Sequence, residues 1–376
     1  MTRTSISPIP PYKIGYHPIL FYLNCPQHSR ATLSHSGMTM PFHHFPVIFL
    51  LLIMISDLAF ATTLEQVKTR GYLLCGVSQG VPGFSQKAAD GQWQGLDVDV
   101  CKAVAVSALG DASKVEYVPL SEKQRFIGLQ SGKVDFLIRN TTYSILRDVA
   151  LKINWAGVNY YDGQAFLVPK NLGLKSVKDL DGAAICVTTG TTTELNLADY
   201  FRVNQLTYQA VLDEVLHASI AKYEAGQCDA FTTDQSSLAG LRLMLQIPDD
   251  HVVLPEVISK EPLGLVVRDN DPQWEDLVRW SFLAMVAAEE LELTQANIDQ
   301  ALKSNKPAIR RFVGLEGSLG DYLEIANDWA YQIIKQIGNY GESFERHVGR
   351  NSPLGLERGL NDLWTRGGLM YSPPFR

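Results

Sequence analysis

The sequence holds no long Lys/Arg run, and its formal charge of −7 is acidic. Nucleic acids and anionic membranes recruit clustered positive charge, so neither is an expected partner. Long apolar runs are missing too. The only one of note covers 47–55 and ends before Asp57, well short of the about 20 residues that span a bilayer. Of the five cysteines none forms a C-x-x-C pair, and beyond residue 61 the only histidines are His217, His251 and His347. No zinc-type spacing arises from them, and no metal or cofactor is implied. Gly190 is followed by Thr191 rather than Lys, which excludes a phosphate-binding P-loop. What is present is an ordinary globular balance, 46% apolar and 19% charged over 376 residues, suited to two domains or one bilobed protein.

The apolar run at 47–55 fits the core of a signal peptide, and Ala59-Phe60-Ala61 supplies a small-x-small cleavage motif. Residues 1–61 therefore read as an N-terminal extension plus signal peptide, with the exported chain beginning at Thr62. No Lys or Arg stands between Ala31 and the apolar run, so residues 1–37 read as an extension before a start at Met38 or Met40. Removal of the segment takes Cys25 and leaves Cys75, Cys101, Cys186 and Cys228. Of their three pairings, Cys75–Cys101 and Cys186–Cys228 each fall inside one predicted lobe and are favoured. Four buried thiols are the alternative.

From Gly71 onward, short apolar runs alternate with amphipathic segments. Strands are predicted at 72–77, 115–118 and 134–138, and helices at 97–109 and 122–131. The rhythm restarts with a strand at 184–187, a helix at 194–202 and a strand at 229–232. This is the βαβ pattern of open sheets covered by helices. Asp271-Pro272 announces a further helix, with Asp at the N-cap and Pro at the first helical position. Apolar extended passages at 163–169 and 263–267 read as crossover strands. The expected architecture is α/β and bilobed: lobe 1 from 62–164 and 263–304, lobe 2 inserted at 165–262, and a helical extension at 305–376 packed on lobe 1. In the extension, Asn339-Tyr340-Gly341-Glu342 and Arg366-Gly367-Gly368 read as turns.

Three segments place hydroxyls and charges just beyond predicted strands. In Arg139-Asn140-Thr141-Thr142-Tyr143-Ser144-Ile145-Leu146-Arg147, a guanidinium and a hydroxyl can converge on one carboxylate. The same spacing also fits a capped helix with a surface Arg. Gly190-Thr191-Thr192-Thr193-Glu194 offers helix N-terminal donors to an anion, and equally a plain capping box. In Cys228-Asp229-Ala230-Phe231-Thr232-Thr233-Asp234, Asp234 ends an apolar strand, where a carboxylate needs a cation or exposure. It also fits the N-cap of a helix at 235–245. Together the segments hold a cation for a carboxylate, hydroxyl donors, and an anion for an ammonium, which is the complement of a free α-amino acid.

The chain resembles the periplasmic amino-acid-binding proteins of polar amino acid ABC transporters, in particular their broad-range general L-amino-acid-binding branch. The resemblance is carried by CGVSQGVPGFS at 75–85, GLDVDVCKAV at 95–104, LQSGKVDFLIRNTTYS at 129–144 and GTTTELNLADYF at 190–201. CDAFTTD at 228–234, HVVLPEVISKEPLG at 251–264 and GNYGESFERHVG at 338–349 continue it. It implies a type II periplasmic-binding-protein fold. It also implies that Arg147 and Thr142 bind the ligand carboxylate from lobe 1, with Thr192 joining from lobe 2. Asp234 would take the ammonium, assisted by the carbonyl of Asn140, while Phe84 and Arg139 would lie near the ligand side chain. Asp97 and Asp99 would serve helix capping and lobe contacts. The sequence departs from the pattern at Tyr143, where Trp is usual, and at Thr189, where Ala is usual.

The implied activity is capture of free L-amino acids between closing lobes in the periplasm and delivery to the membrane permease of an ABC transporter. A small-acid dehydratase or lyase on the same scaffold is the alternative. It needs a general acid or base beyond the ligand grips, and no His lies near the three segments. A receptor's sensing domain is a further rival, but no second hydrophobic span follows.

Overall fold

The computed structural model describes residues 61–376. The apolar run at 47–55 and the residues Ala59 and Phe60 lie outside the described residues. Ten strands build two five-stranded sheets. The first uses β1 (Leu73–Val77), β2 (Val115–Pro119), β3 (Phe136–Leu137), β4 (Ile153–Asp162) and a late strand, β10 (Glu261–Arg268), in the order β2-β1-β3-β10-β4. Between β4 and β10 the chain forms the second sheet from β5 (Gln164–Pro169), β6 (Ala184–Thr188), β7 (Gln209–Asp213), β8 (Ala230–Asp234) and β9 (His251–Val253), in the order β9-β5-β8-β6-β7. β1 pairs in parallel with β2 and β3, and β6 with β7 and β8. Parallel neighbours need crossover helices, which cover both faces of each sheet. That is why the inner strands β1, β3, β6 and β8 read as apolar runs, while the edge strands β2 and β7 stay partly exposed.

Lobe 1 is covered by α1 (Thr63–Arg70), α2 (Leu96–Leu109), α3 (Arg125–Gln130) and α4 (Ile145–Ala150), and lobe 2 by α5 (Thr192–Val203), α6 (Leu216–Glu224) and α7 (Gln235–Arg242). The chain returns to lobe 1 in α8 (Pro272–Glu290), where Asp271 accepts the Trp274 N–H at 3.2 Å as the N-cap and Pro272 opens the first turn. Each lobe holds one disulfide: Cys75–Cys101 ties β1 to α2, and Cys186–Cys228 ties β6 to the approach to β8. Closing such loops typically stabilises a domain by about 2–4 kcal/mol.

The lobes join where β4 becomes β5 and where β10 begins. The two crossings run antiparallel, with Glu261 opposite Asp162. Only Gly163 separates β4 from β5. A Cβ there would meet Val257 Cγ1 at 2.1 Å and the Ser259 carbonyl at 2.8 Å, so the close pass of the two connections demands glycine.

The extension packs on lobe 1 through α9 (Trp329–Gln336) and α10 (Tyr340–His347), whose Ile333, Ile334, Tyr340 and Phe344 complete the core around α2 and α8. Asn339-Tyr340-Gly341-Glu342 is not a turn. Asn339 accepts the Glu342 N–H and Glu342 accepts the Asn339 N–H, so a capping box starts α10 there. Asp97 and Asp99 are not caps either, because Gly95 caps α2 without a side-chain bond. Asp97 accepts from Asn159 on β4 at 2.9 Å, and burial pushes its carboxyl up to about 7. Asp99 accepts from Ser343, Arg346 and His347, tying the extension to lobe 1.

Candidate ligand-binding site

The cleft between the lobes narrows to a cavity of about 40 Å³, lined by Glu122, Arg125, Arg139, Asn140 and Thr142 from lobe 1 and by Thr188, Thr191–Thr193 and Thr232–Asp234 from lobe 2. The lobes touch across it: Thr142 Oγ1 and Thr192 Oγ1 lie 3.2 Å apart.

On lobe 1 the segment after β3 turns at Asn140, whose φ of +44° is left-handed. Its carboxamide Oδ1 and Nδ2 are buried and have no hydrogen-bond partner. Its carbonyl accepts Arg125 Nη1 at 3.3 Å. Arg147, in α4, is buried, donates Nη1 to the Thr142 carbonyl at 2.9 Å and lies 5.5 Å over the Phe126 ring. The alternative of a surface Arg does not hold. Burial lowers the guanidinium's pKa, while Glu261 and Asp234 raise it. Both acidic groups thus act on it across the cleft.

On lobe 2, Thr191 caps α5 by accepting the Glu194 N–H at 3.2 Å. Glu194 reaches back to the Gly190 N–H rather than to that of Thr191, so the reciprocal half of the box is displaced by one residue. With Thr191 serving the cap, Thr192 turns its hydroxyl to the cleft. Asp234 ends β8 at the N-cap position of α7 but makes no capping bond. The simple cap reading of Asp234 therefore fails. Its buried carboxyl is pushed well above the usual carboxylate range by desolvation, then by Asp162 and Glu261, against the pull of Arg125 and Arg147.

Several residues of the site were not anticipated. Glu261, buried at the start of β10, accepts from Thr142 on lobe 1, and from Thr192 at 2.9 Å and Asn196 at 2.6 Å on lobe 2. Asp162, opposite it, accepts from Ser236 and Gly163, and burial raises its carboxyl to about 6. The available signal for Glu261 was the one used for Asp234: a carboxylate bordering an apolar strand. Glu122 and Arg125 were hidden in the helix predicted at 122–131. That helix begins only at Arg125, and Glu122 lies in the preceding turn, folded inward. Arg139 pairs with Glu122 at 2.8 Å, both side chains buried.

The structure does not bring Phe84 to the cavity. Its ring is fully buried in the lobe 1 core, 5.1 Å from that of Tyr160, and Val81 from the same loop lines the cavity instead. The loop reverses after Val81, which turns the larger ring inward. Tyr143 stacks on Trp155 at 4.5 Å and is not part of the lining. Arg147 is not among the residues that line this narrow cavity.

Two open sheets, a double crossing and a polar interlobe cleft define the type II periplasmic-binding-protein fold. The chain belongs to the bacterial extracellular solute-binding proteins, family 3, whose pattern matches residues 73–298. It is 54% identical over 320 residues to the general L-amino acid-binding periplasmic protein AapJ of Rhizobium johnstonii, covering 85% of this chain and 94% of that protein. It is 52% identical over 324 residues to the glutamate/glutamine/aspartate/asparagine-binding protein BztA of Rhodobacter capsulatus, covering 86% and 96%. Among solved structures, a periplasmic binding protein from Brucella ovis with glutathione bound matches with a TM-score of 0.83 and 52% identity, covering 84% of this chain and 100% of that one.

Proposed function

We propose that the protein captures free L-amino acids in the periplasm, after cleavage near Ala61, and presents them in the closed form to the permease of an ABC transporter. The observation that carries this reading is Asp234, a buried carboxylate at a helix start that makes no capping bond, facing lobe 1 where Arg147 is buried without a carboxylate bonded to it. A zwitterion set between them matches an ammonium to Asp234 and a carboxylate to Arg147, and stabilises the closed form by touching both lobes. The two named relatives differ in breadth, so what their ligands share is the α-amino acid backbone. Glutathione also bears a free α-ammonium and α-carboxylate at its γ-glutamyl end. Thr142 and Thr192 flank the carboxylate position, and the Asn140 carbonyl flanks the ammonium.

Isothermal titration with L-glutamine, N-acetyl-L-glutamine and L-glutaminamide tests the reading. Binding of glutamine alone is expected, because each derivative removes one backbone charge. Equal affinity for the three rejects it.

A further inference from the structure

Five buried polar atoms on four side chains lining the cavity have no hydrogen-bond partner: Glu122 Oε2, Arg125 Nε, Arg139 Nε, and Asn140 Oδ1 and Nδ2. Buried polar groups are almost always satisfied, and several orphans converging on one cavity mark a place where a ligand completes them. All four residues stand on lobe 1, in the turn before α3, at its first residue and in the segment after β3.

The charges narrow the choice. Three guanidiniums are buried around the cleft: Arg125, Arg139 and Arg147. Arg139 has Glu122 as its ion-pair partner at 2.8 Å. Arg147 is assigned to the ligand α-carboxylate. Arg125 meets only neutral acceptors at long range, the Asn140 carbonyl at 3.3 Å and Thr141 Oγ1 at 3.4 Å. One of its faces is covered by the Phe126 ring at 5.0 Å, leaving the planar edge as its free donor surface. Glu122 and Asp234 act on Arg125 only from beyond bonding distance. A buried cation with no anion bonded to it is costly, and an oxygen acceptor brought by the ligand offsets that cost.

We propose that Arg125, with Arg139, Asn140 and Glu122, forms the side-chain subsite of the cleft, selective for α-amino acids ending in a carboxylate or carboxamide. The inference rests on the amino-acid reading above and names the ligand class of that site. Arg125 donates to the ligand's side-chain oxygen, an atom that acids and amides share. Arg139 Nε and Asn140 Nδ2 add donors, and Glu122 Oε2 accepts a carboxamide N–H. Free donors beside a free acceptor admit both the acid and the amide. An aliphatic side chain leaves all five atoms unsatisfied.

Titration calorimetry of the purified protein with L-glutamine, L-glutamate and L-norleucine tests the subsite, norleucine having comparable length without polar atoms. Glutamine and glutamate are expected to bind about ten- to a hundredfold tighter than norleucine, the worth of one charge-assisted hydrogen bond. Arg125→Met is expected to collapse that preference to about threefold or less, and a preserved preference overturns the proposal. Should Arg125→Met fail to fold by circular dichroism, Glu122→Gln decides. It removes an anion near the ligand's side-chain oxygen and raises the glutamate-to-glutamine affinity ratio by about tenfold, whereas an unchanged ratio overturns the subsite. Equal binding of the three ligands by the wild-type protein defeats the subsite alone. No binding of any of them defeats the amino-acid reading and the subsite with it.

Discussion

Glu261 Oε2 accepts the hydroxyl of Thr192 at 2.9 Å while also accepting that of Thr142, so one carboxylate of the crossing strand holds a hydroxyl from each lobe. A threonine hydroxyl carries a single proton. While it is given to Glu261 it is not given to a ligand carboxylate, so Glu261 occupies the donors that the resemblance assigns to the ligand. On the proposed reading Arg147 is then left to hold the α-carboxylate, and Glu261, bonded to a hydroxyl of each lobe, would act as a latch between them.

Replacing Glu261 with Ala removes the shared acceptor. Hydrogen bonds to a charged group contribute about 1.5–3 kcal/mol each, enough to move an open–closed equilibrium. The Glu261→Ala protein without ligand is expected to be more open, seen as a larger radius of gyration in small-angle X-ray scattering. An unchanged radius rejects the latch.

If Asp234 holds the ligand ammonium as proposed, it is expected to set the pH dependence of binding. Its carboxyl lies well above the usual range, through burial and the neighbouring Asp162 and Glu261, with Arg125 and Arg147 opposing. A ligand ammonium favours the ionised form and brings the pKa down. Between the raised unliganded value and the lower liganded one, binding therefore releases a proton, and affinity falls as the pH is lowered through that window. Calorimetry in buffers of different ionisation enthalpy reads the release directly. Asp234→Asn is expected to abolish the proton release and weaken binding by about 2–5 kcal/mol, the cost of truncating one partner of a buried charge pair. Proton release that persists in the variant assigns the titration to another group.

Much of this architecture is legible locally. β1, β3, β6 and β8 are buried and read as apolar runs, and the polar residues that follow β3 and β6 or end β8, namely Thr142, Arg147, Thr192 and Asp234, stand out for that reason. β4 does not stand out. Asn154, Gly157 and Asn159 break its apolar character, and its pairing with β10 is irregular at Leu263/Gly264 and Leu265/Val266. Glu261 and Arg125 escape for a different reason. Glu261 precedes the apolar run predicted as a strand at 263–267, although it is the first residue of β10, and its partners Thr142 and Thr192 are 119 and 69 residues away. Arg125 sits where a helix's polar face is expected, and only the packing of lobe 1 turns it inward. Such proximities arise from tertiary structure and leave no local spacing to read.

The extension's hold on lobe 1 has an electrostatic part that can be separated from its apolar part. Asp99 is buried, and although desolvation acts against it, its bonds and charges from His347, Arg346 and Lys102 hold its carboxyl well below the usual range. A depressed carboxyl contributes stability that is present above its unfolded pKa of about 3.9 and lost as the pH falls toward the folded value. Asp99→Asn keeps the side chain's shape and its Ser343 bond but removes the charge. Because Arg346 is 42% exposed, solvent screens part of the attraction, and the expected loss is about 1–3 kcal/mol in chemical denaturation at neutral pH. The gap between wild type and variant should narrow below about pH 4, where the charge is being titrated away. The variant should also become sensitive to trypsin at Arg346 and Arg350, in and just beyond α10. Equal stability and equal protease resistance would place the whole attachment on the apolar contacts of Ile333, Ile334, Tyr340 and Phe344.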